Sequence, residues 1–315
     1  MTRDAFKPHP LLSNRHVQTI WGVVFRQQKK PTTTFERLEL TDGDFVDLEW
    51  IKGEGPLVII LHGLEGSSDS HYAKGMLNTI QRLDWQAVIM HFRNCSQTPN
   101  RLTRSYHAGE TGDIDFLYHS IKQRMPNTPL FVIGYSLGGN VLVKWLAEKS
   151  PDIIAACAVS VPFDLQKSVG QLQKGFSKIY DKKLLYSLKR SHKRKDKTSL
   201  KEVKTIYDFD DKVTSKVHGF KNAEAYYQQN HSLQFLPEVT TPLLIIQAED
   251  DPFHPPTLAL DNLNPNTLLE FSPHGGHVGF ITGSLLGKPE YWLEKRIPEY
   301  FSNEIKRLHS SSSPK

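Results

Sequence analysis

Gly134-Tyr135-Ser136-Leu137-Gly138 sets a serine between two glycines in the pattern G-x-S-x-G. That spacing suits a nucleophile on a sharp strand-to-helix turn, where small residues two before and two after it avoid the neighbouring strand and helix. The apolar run LFVI precedes it and an amphipathic stretch follows, as such a turn requires. A serine hydroxyl is a weak nucleophile until a base takes its proton. Downstream, Glu249-Asp250-Asp251-Pro252 follows the apolar run LLIIQA and supplies a carboxylate to orient that base. Asp250 and Asp251 compete for the role, with Glu249 behind them; the acids not used read as solvated turn residues. Further on, Phe271-Ser272-Pro273-His274-Gly275-Gly276-His277 ends a glycine-rich loop on a histidine. His277 is the expected general base and His274 the alternative. The two histidines at i, i+3 also have metal-ligand spacing. No cysteine or third ligand cluster accompanies them, so no zinc site and no metal is expected.

An acyl-transfer site also needs two backbone N–H groups aimed at the developing oxyanion. Leu137, directly after the serine, is one expected donor. Leu64, in the glycine-bearing loop Leu61-His62-Gly63-Leu64-Glu65-Gly66, is the other.

These residues need a scaffold. Leu57–Leu61, Ala87–Phe92, Leu130–Ile133, Ile154–Val161 and Leu243–Ala248 are short, Val/Ile-bearing apolar runs bounded by turn signals. They read as strands buried on both faces of a parallel sheet. Ser70–Leu83, Gly109–Met125 and Leu137–Lys149 read as the helices between them, and Trp292–Leu308 as a closing helix. Phe35–Leu40 and Phe45–Ile51 flank a turn and predict a hairpin at the sheet's N-terminal edge. About 80 residues between Ile154 and Leu243 lack any strand-like run and predict a helical insertion, with a helix at Tyr226–Tyr227. The expected division is a core of residues 1–162 and 236–309, a helical cap over 163–235, and a disordered tail over 310–315.

Composition narrows the class. The 315 residues contain no apolar run approaching a membrane span, and Met1–Pro10 has no signal-peptide character. Two cysteines, Cys95 and Cys157, make no disulfide framework, so a reducing, cytoplasmic location is expected. The net charge of +5 is unevenly spread: residues 163–204 hold 13 Lys+Arg against 4 Asp+Glu, a net of +9, leaving −4 for the remainder. The basic segment reads as a solvated face of cap helices or as an attraction to anionic lipid or acidic esters. No aromatic interleaving or nucleic-acid module supports a nucleic-acid partner.

HGLEG, HFRNCS, YHAGET, GYSLGGN, AEDDPF and HGGHVGF occur in this order. With PLLSNRHVQTIW at Pro10–Trp21 and the stretch Phe209–Tyr227, they make the chain resemble the YheT-like branch of the α/β-hydrolase superfamily over roughly residues 8–305. The resemblance implies an α/β-hydrolase fold: a mostly parallel central sheet flanked by helices, with a helical cap inserted late in the sheet. It implies a triad of Ser136, Asp251 and His277; an acid directly before proline recurs at this point of the fold, which favours Asp251. Eukaryotic members of that branch are membrane-anchored lipases and esterases; no such anchor is expected in this chain.

Arg93 reads as an ion-pair partner of Glu110 or Asp113 more than as a substrate ligand. Cys95 reads as a small loop residue, and Asp210 and Asp211 as acids that fix cap geometry by pairing with arginine or backbone donors. The expected activity is hydrolysis of short- to medium-chain acyl esters or monoacylglycerol-like lipids through an acyl-enzyme, with no cofactor. Acyl transfer through the same intermediate is the near alternative, and a non-catalytic protein binding anionic membrane surfaces is the distant one.

Overall fold

The structure, a computed structural model, describes residues 6–255, 260 and 263–311. Eight strands form one sheet: β1 (Thr34–Glu39), β2 (Phe45–Ile51), β3 (Leu57–Leu61), β4 (Gln86–His91), β5 (Leu130–Tyr135), β6 (Ala155–Val159), β7 (Leu243–Ala248) and β8 (Thr267–Ser272). Their order is β1-β2-β4-β3-β5-β6-β7-β8. The predicted hairpin is β1 and β2, which pair antiparallel at one edge; β2 is antiparallel to β4, and every later neighbour is parallel. A parallel sheet covered on both faces favours uninterrupted apolar strands. LVIIL of β3 is buried at every position, as are β5, β6 and β7.

The helices are α1 (Arg15–Phe25), α2 (His71–Arg82), α3 (Gly112–Arg124), α4 (Leu137–Lys149), α5 (Leu165–Leu172) and α6 (Lys178–Lys193). Then come α7 (Ile206–Phe209), α8 (Ser215–His218), α9 (Ala223–Asn230) and α10 (Leu293–Ser311). A π turn at Asp210–Thr214 joins α7 to α8. A two-residue hairpin pairs β9 (Ile281–Thr282) with β10 (Glu290–Tyr291). Helix α1 is not foreseen in the sequence reading. The closing helix runs to Ser311, so Ser310 is helical where a disordered tail is expected; residues 312–315 lie outside the described residues.

Helices α5–α9 lie between β6 and β7 and form the expected cap. The cap has a small apolar centre of its own, built from Leu172, Tyr180, Leu185, Leu188, Ile206 and Phe209 among others. Asn140, on α4, ties it to the core. Its Nδ2 donates to Ala108 O and Asn230 O, both at 2.8 Å, and its Oδ1 accepts from Ser232 N at 2.9 Å. Arg93 is an ion-pair residue, as predicted: it is buried, with Nε and Nη2 on the two oxygens of Asp113 at 2.8 and 2.6 Å and Nη1 on Asp42 at 2.7 Å. Asp211 accepts from Ala223 N at 3.1 Å, a backbone donor. Asp210 pairs with no arginine; it accepts from Thr214 Oγ1 and Tyr227 Oη, both at 2.8 Å.

Replacing Asn140 with alanine strands three buried backbone groups. Asn140→Ala is expected to cost roughly 2–4 kcal/mol in urea unfolding. A loss below about 0.5 kcal/mol, the level of an ordinary surface change, would show that the cap does not hang on this side chain.

Candidate active site

Ser136 closes β5 and caps α4 with φ 52° and ψ −120°. A non-glycine residue at positive φ is strained and persists only where its surroundings impose it. Two glycines make room for this turn. A Cβ on Gly134 would lie 2.5 Å from Gly138 O, and one on Gly138 would lie 2.5 Å from both Leu61 O and His62 O. The first approach is to the helix the turn enters, the second to the end of β3. The spacing in the sequence therefore records two backbone contacts.

The structure brings together the three residues that the sequence singles out. His277 Nε2 is 2.9 Å from Ser136 Oγ, and His277 Nδ1 is 2.9 Å from Asp251 Oδ2. An ionised carboxylate only accepts, so Nδ1 carries the proton and Nε2 is left to accept from the serine hydroxyl. Asp251 is buried, and its other oxygen accepts from Phe253 N at 2.8 Å. The runners-up pair with each other instead. Asp250 Oδ2 lies 3.3 Å from His274 Nδ1, the His274 side chain is exposed, and Asp250 Oδ1 accepts from Gly276 N at 2.9 Å. Together they brace the loop that presents His277.

Further contacts hold the histidine and the loop that carries it. The Phe253 ring stacks on His277 with centroids 3.9 Å apart and planes 4° apart. His277 N donates to Thr19 Oγ1 at 3.0 Å, and Val278 N to Ser160 Oγ at 3.0 Å. Gln18, on α1, bonds Ile281 in both directions, giving Nε2 to its O at 3.1 Å and accepting from its N at 2.7 Å. Gly276, at φ +57°, lets the loop lie against α1, because a Cβ there would sit 2.6 Å from Arg15 O. The sequence reading did not find Thr19, Gln18 or Ser160, which act across long separations. His254 and Phe253 did have a signal, standing in PFHP directly after Asp251. His254 is buried, with Nε2 3.3 Å from Asp251 Oδ2 but without hydrogen-bond geometry, and Nδ1 3.3 Å from Ser168 Oγ of α5.

Asp251, His254 and His277 are the one grouping among the described residues with metal-ligand composition, their donor atoms lying within 4.8 Å of one another. His277 Nδ1 and Asp251 Oδ2 already bond each other, so a cation there would displace that bond.

The loop after β3 lies against the serine: a Cβ on Gly63 would be 3.2 Å from Ser136 Cβ. Gly63 N donates to Tyr72 Oη at 2.8 Å and Glu65 N to Tyr106 Oη at 2.7 Å. Leu64, the expected donor, stands between these two engaged neighbours, and it lines the same cavity as Ser136 and Leu137. His62 fixes the loop from behind. Its Nε2 accepts from Phe92 N at 3.1 Å, so Nδ1 carries the proton and donates to Gly63 O at 2.7 Å. Burial and the neighbouring His91 pull the His62 pKa down to about 3. Cys95 is a partly buried loop thiol whose pKa burial pushes up, which is unsuited to a nucleophile.

Ser136 and His277 open into a cavity of about 720 Å³ between the core and the cap. Leu172, Leu184, Leu188, Ile206, Phe209 and Val213 give it an apolar wall on the cap side. Its size falls in the usual range for ligand pockets, about 300–1,000 Å³.

This fold, with a serine–histidine–carboxylate chain beneath a cap, defines an α/β-hydrolase of the serine type. The family described as alpha/beta hydrolase fold matches residues 56–284. YheT of Escherichia coli (strain K12) is 40% identical over 319 residues, covering 95% of this chain and 94% of its own. A monoacylglycerol lipase of Saccharomyces cerevisiae is 32% identical over 247 residues, covering 72% of this chain and 55% of its own. Among solved structures, the Pyrococcus furiosus esterase Pf2001 superposes with a TM-score of 0.60 at 17% identity, covering 97% of this chain and 99% of that one. The chain belongs to the α/β-hydrolase family, in the YheT-like esterase and lipase branch. It is a serine-hydrolase-type esterase.

Acid should weaken this fold through its buried histidines. Burial lowers the pKa of His62 to about 3 and those of His71 and His218 to about 4. In the unfolded chain each takes up a proton near its ordinary value of about 6.5. Between those values the unfolded state binds more protons, so stability is complete above about pH 6.5 and falls as pH drops toward 4. The urea midpoint should be lower at about pH 5 than at about pH 7, and the drop should be smaller in His62→Asn, whose side chain does not titrate. A midpoint unchanged between the two pH values would contradict the assignment.

Proposed function

We propose that the protein hydrolyses carboxylic esters with an apolar acyl chain, of short to medium length or monoacylglycerol-like, through a covalent acyl-enzyme on Ser136. The observation that carries this reading is the hydrogen-bonded sequence Ser136–His277–Asp251 at the floor of an apolar cavity. In this mechanism His277 Nε2 takes the Ser136 proton as Oγ attacks the acyl carbonyl. Asp251 holds Nδ1–H and stabilises the imidazolium that forms. The oxyanion is received by the N–H groups of Leu137 and Leu64, whose worth is greatest in a dry, preorganised site. His277 then gives its proton to the leaving alcohol. Water repeats the sequence on the acyl-enzyme and releases the acid.

The apolar cap wall supports an aliphatic acyl group as the part of the substrate the site receives. The names of relatives support the same class, since the yeast protein is a monoacylglycerol lipase and human ABHD3 a phospholipase. Peripheral contact between the basic cap and an anionic membrane belongs to this reading, and so does a cytoplasmic location, which the free thiols of Cys95 and Cys157 support. No helix among the described residues is long and apolar enough to cross a membrane.

Turnover of short and medium p-nitrophenyl esters tests the mechanism. Ser136→Ala should lower kcat by at least about 10⁴-fold and Asp251→Asn by about 10³–10⁴-fold, with the circular dichroism of the parent retained. Parent-like turnover in a folded Ser136→Ala protein would sink it.

A further inference from the structure

The basic segment divides in two by what its cations touch. Toward its C-terminal end three of them are tied to backbone carbonyls. Lys189 donates to Val203 O, Lys195 Nζ to Arg104 O at 3.0 Å, and Arg194 to Asn94 O at 3.2 Å and Ser96 O at 3.0 Å. Those side chains fasten the cap to its own turn and to the loop after β4. Toward the N-terminal end, Lys174, Lys178, Lys182 and Lys183 are exposed instead. The one acid in this stretch, Asp181, is buried and accepts from Ile206 N at 3.1 Å, so it does not offset them at the surface.

Large apolar side chains are exposed beside these lysines. Val23, Val24 and Phe25 end α1 at 52%, 58% and 60% exposure; Phe176, Ile179 and Tyr186 of the cap are 47%, 53% and 68% exposed. The cap packs on the start of the same helix, where the His16 ring lies on Phe176 at 4.4 Å between centroids. Val23, Val24, Ile179 and Lys183 also line the cavity that holds Ser136, so this patch surrounds its mouth. On the other lip the exposed Asp69 is neutralised by Lys74 at 3.6 Å and Lys30 at 3.8 Å. An exposed apolar patch ringed by uncompensated cations and centred on an opening marks an interaction surface. Apolar insertion and attraction to anionic headgroups are the two signals that together hold a protein at a membrane.

We propose that the end of α1 and the N-terminal half of α6 form an interfacial docking face for an anionic lipid surface, with the mouth of the active-site cavity opening onto the lipid. Val23, Val24, Phe25, Phe176 and Ile179 enter the headgroup boundary, while Lys174, Lys178 and Lys182 meet the phosphates. The face deepens the peripheral membrane contact proposed above, and delivery of an acyl chain from the lipid to Ser136 rests on the ester-hydrolase reading.

Co-sedimentation with phosphatidylglycerol vesicles and with phosphatidylcholine vesicles tests the face. Phe25, Lys178 and Lys182 lie outside the cavity lining, so their replacement should spare hydrolysis of a soluble p-nitrophenyl ester. The parent and Ser136→Ala should both bind phosphatidylglycerol vesicles in preference to phosphatidylcholine. Lys178→Gln with Lys182→Gln should bind about thirtyfold more weakly, at about one tenfold step per 1.4 kcal/mol and about 1 kcal/mol per lysine. Phe25→Ser should weaken vesicle binding while leaving any binding to a DNA duplex unchanged. Equal binding to both vesicle types, or parent-like binding by these variants, would overturn the docking face and leave the ester hydrolase standing. Salt-sensitive binding to the duplex as tight as to vesicles, with Phe25→Ser parent-like on both, would overturn it in favour of a polyanion site. Vesicle binding with no esterase activity in the parent would instead overturn the hydrolase reading and leave the face.

Discussion

The left-handed turn at Ser136 is the constraint on which the rest of the site depends. A serine at φ 52° presents its hydroxyl above the sheet only if the backbone on both sides can approach closely. Gly134 permits the first turn of α4 to fold back on β5, and Gly138 permits α4 to start against the end of β3. The same closeness sets the loop containing Gly63 and Leu64 beside the nucleophile. One strained residue thus determines where the proposed oxyanion donors stand and which way α4 leaves the sheet. Ser160 and Val278, at φ 51° and 56°, extend the pattern to the segments that position His277. Strain of this kind costs of order 1–3 kcal/mol per residue and is kept where a rigid scaffold imposes it.

Holding the histidine is a separate task, and α1 contributes most to it. Thr19 takes the His277 amide, Gln18 pins Ile281, and the loop glycines lie against the helix backbone. The same helix exposes Val23–Phe25 at the mouth of the cavity. One short element therefore touches both the proposed general base and the proposed docking face. His254 makes a comparable link on the far side, reaching from the Asp251 carboxylate to Ser168 on the first cap helix. The cap is thus joined to the chemistry by side chains on both flanks, and to the core by Asn140.

The chemistry was legible in the sequence because its spacing is dictated by backbone contacts that only certain residues allow. G-x-S-x-G, the acid after LLIIQA and the histidine after two glycines each encode a local geometry, and all three meet in space. The sheet was legible for a similar reason, since strands buried on both faces become continuous apolar runs. Where boundaries differ, a specific residue decides: the run Ile154–Val161 is cut to Ala155–Val159 because Ser160 turns left-handed. Long-range packing was not legible. Helix α1 earns its place through contacts with residues some 260 positions away, such as Gln18 with Ile281, and no local pattern announces them. Composition was similarly blind to which cations of the basic segment are tied to backbone carbonyls, as Lys189, Arg194 and Lys195 are, and which are exposed, as Lys174, Lys178 and Lys182 are.

The central claim is that Ser136 is the activated nucleophile of this fold. Its most direct test is the site of covalent attachment of a fluorophosphonate, a reagent that reports on an activated hydroxyl and asks nothing about the natural ester. After reaction, intact-protein mass and peptide mapping should give one adduct per chain, on Ser136, formed quickly in the native protein and not formed in protein denatured before the reagent is added. No adduct on the native protein, or an adduct on a residue other than Ser136, would contradict the account.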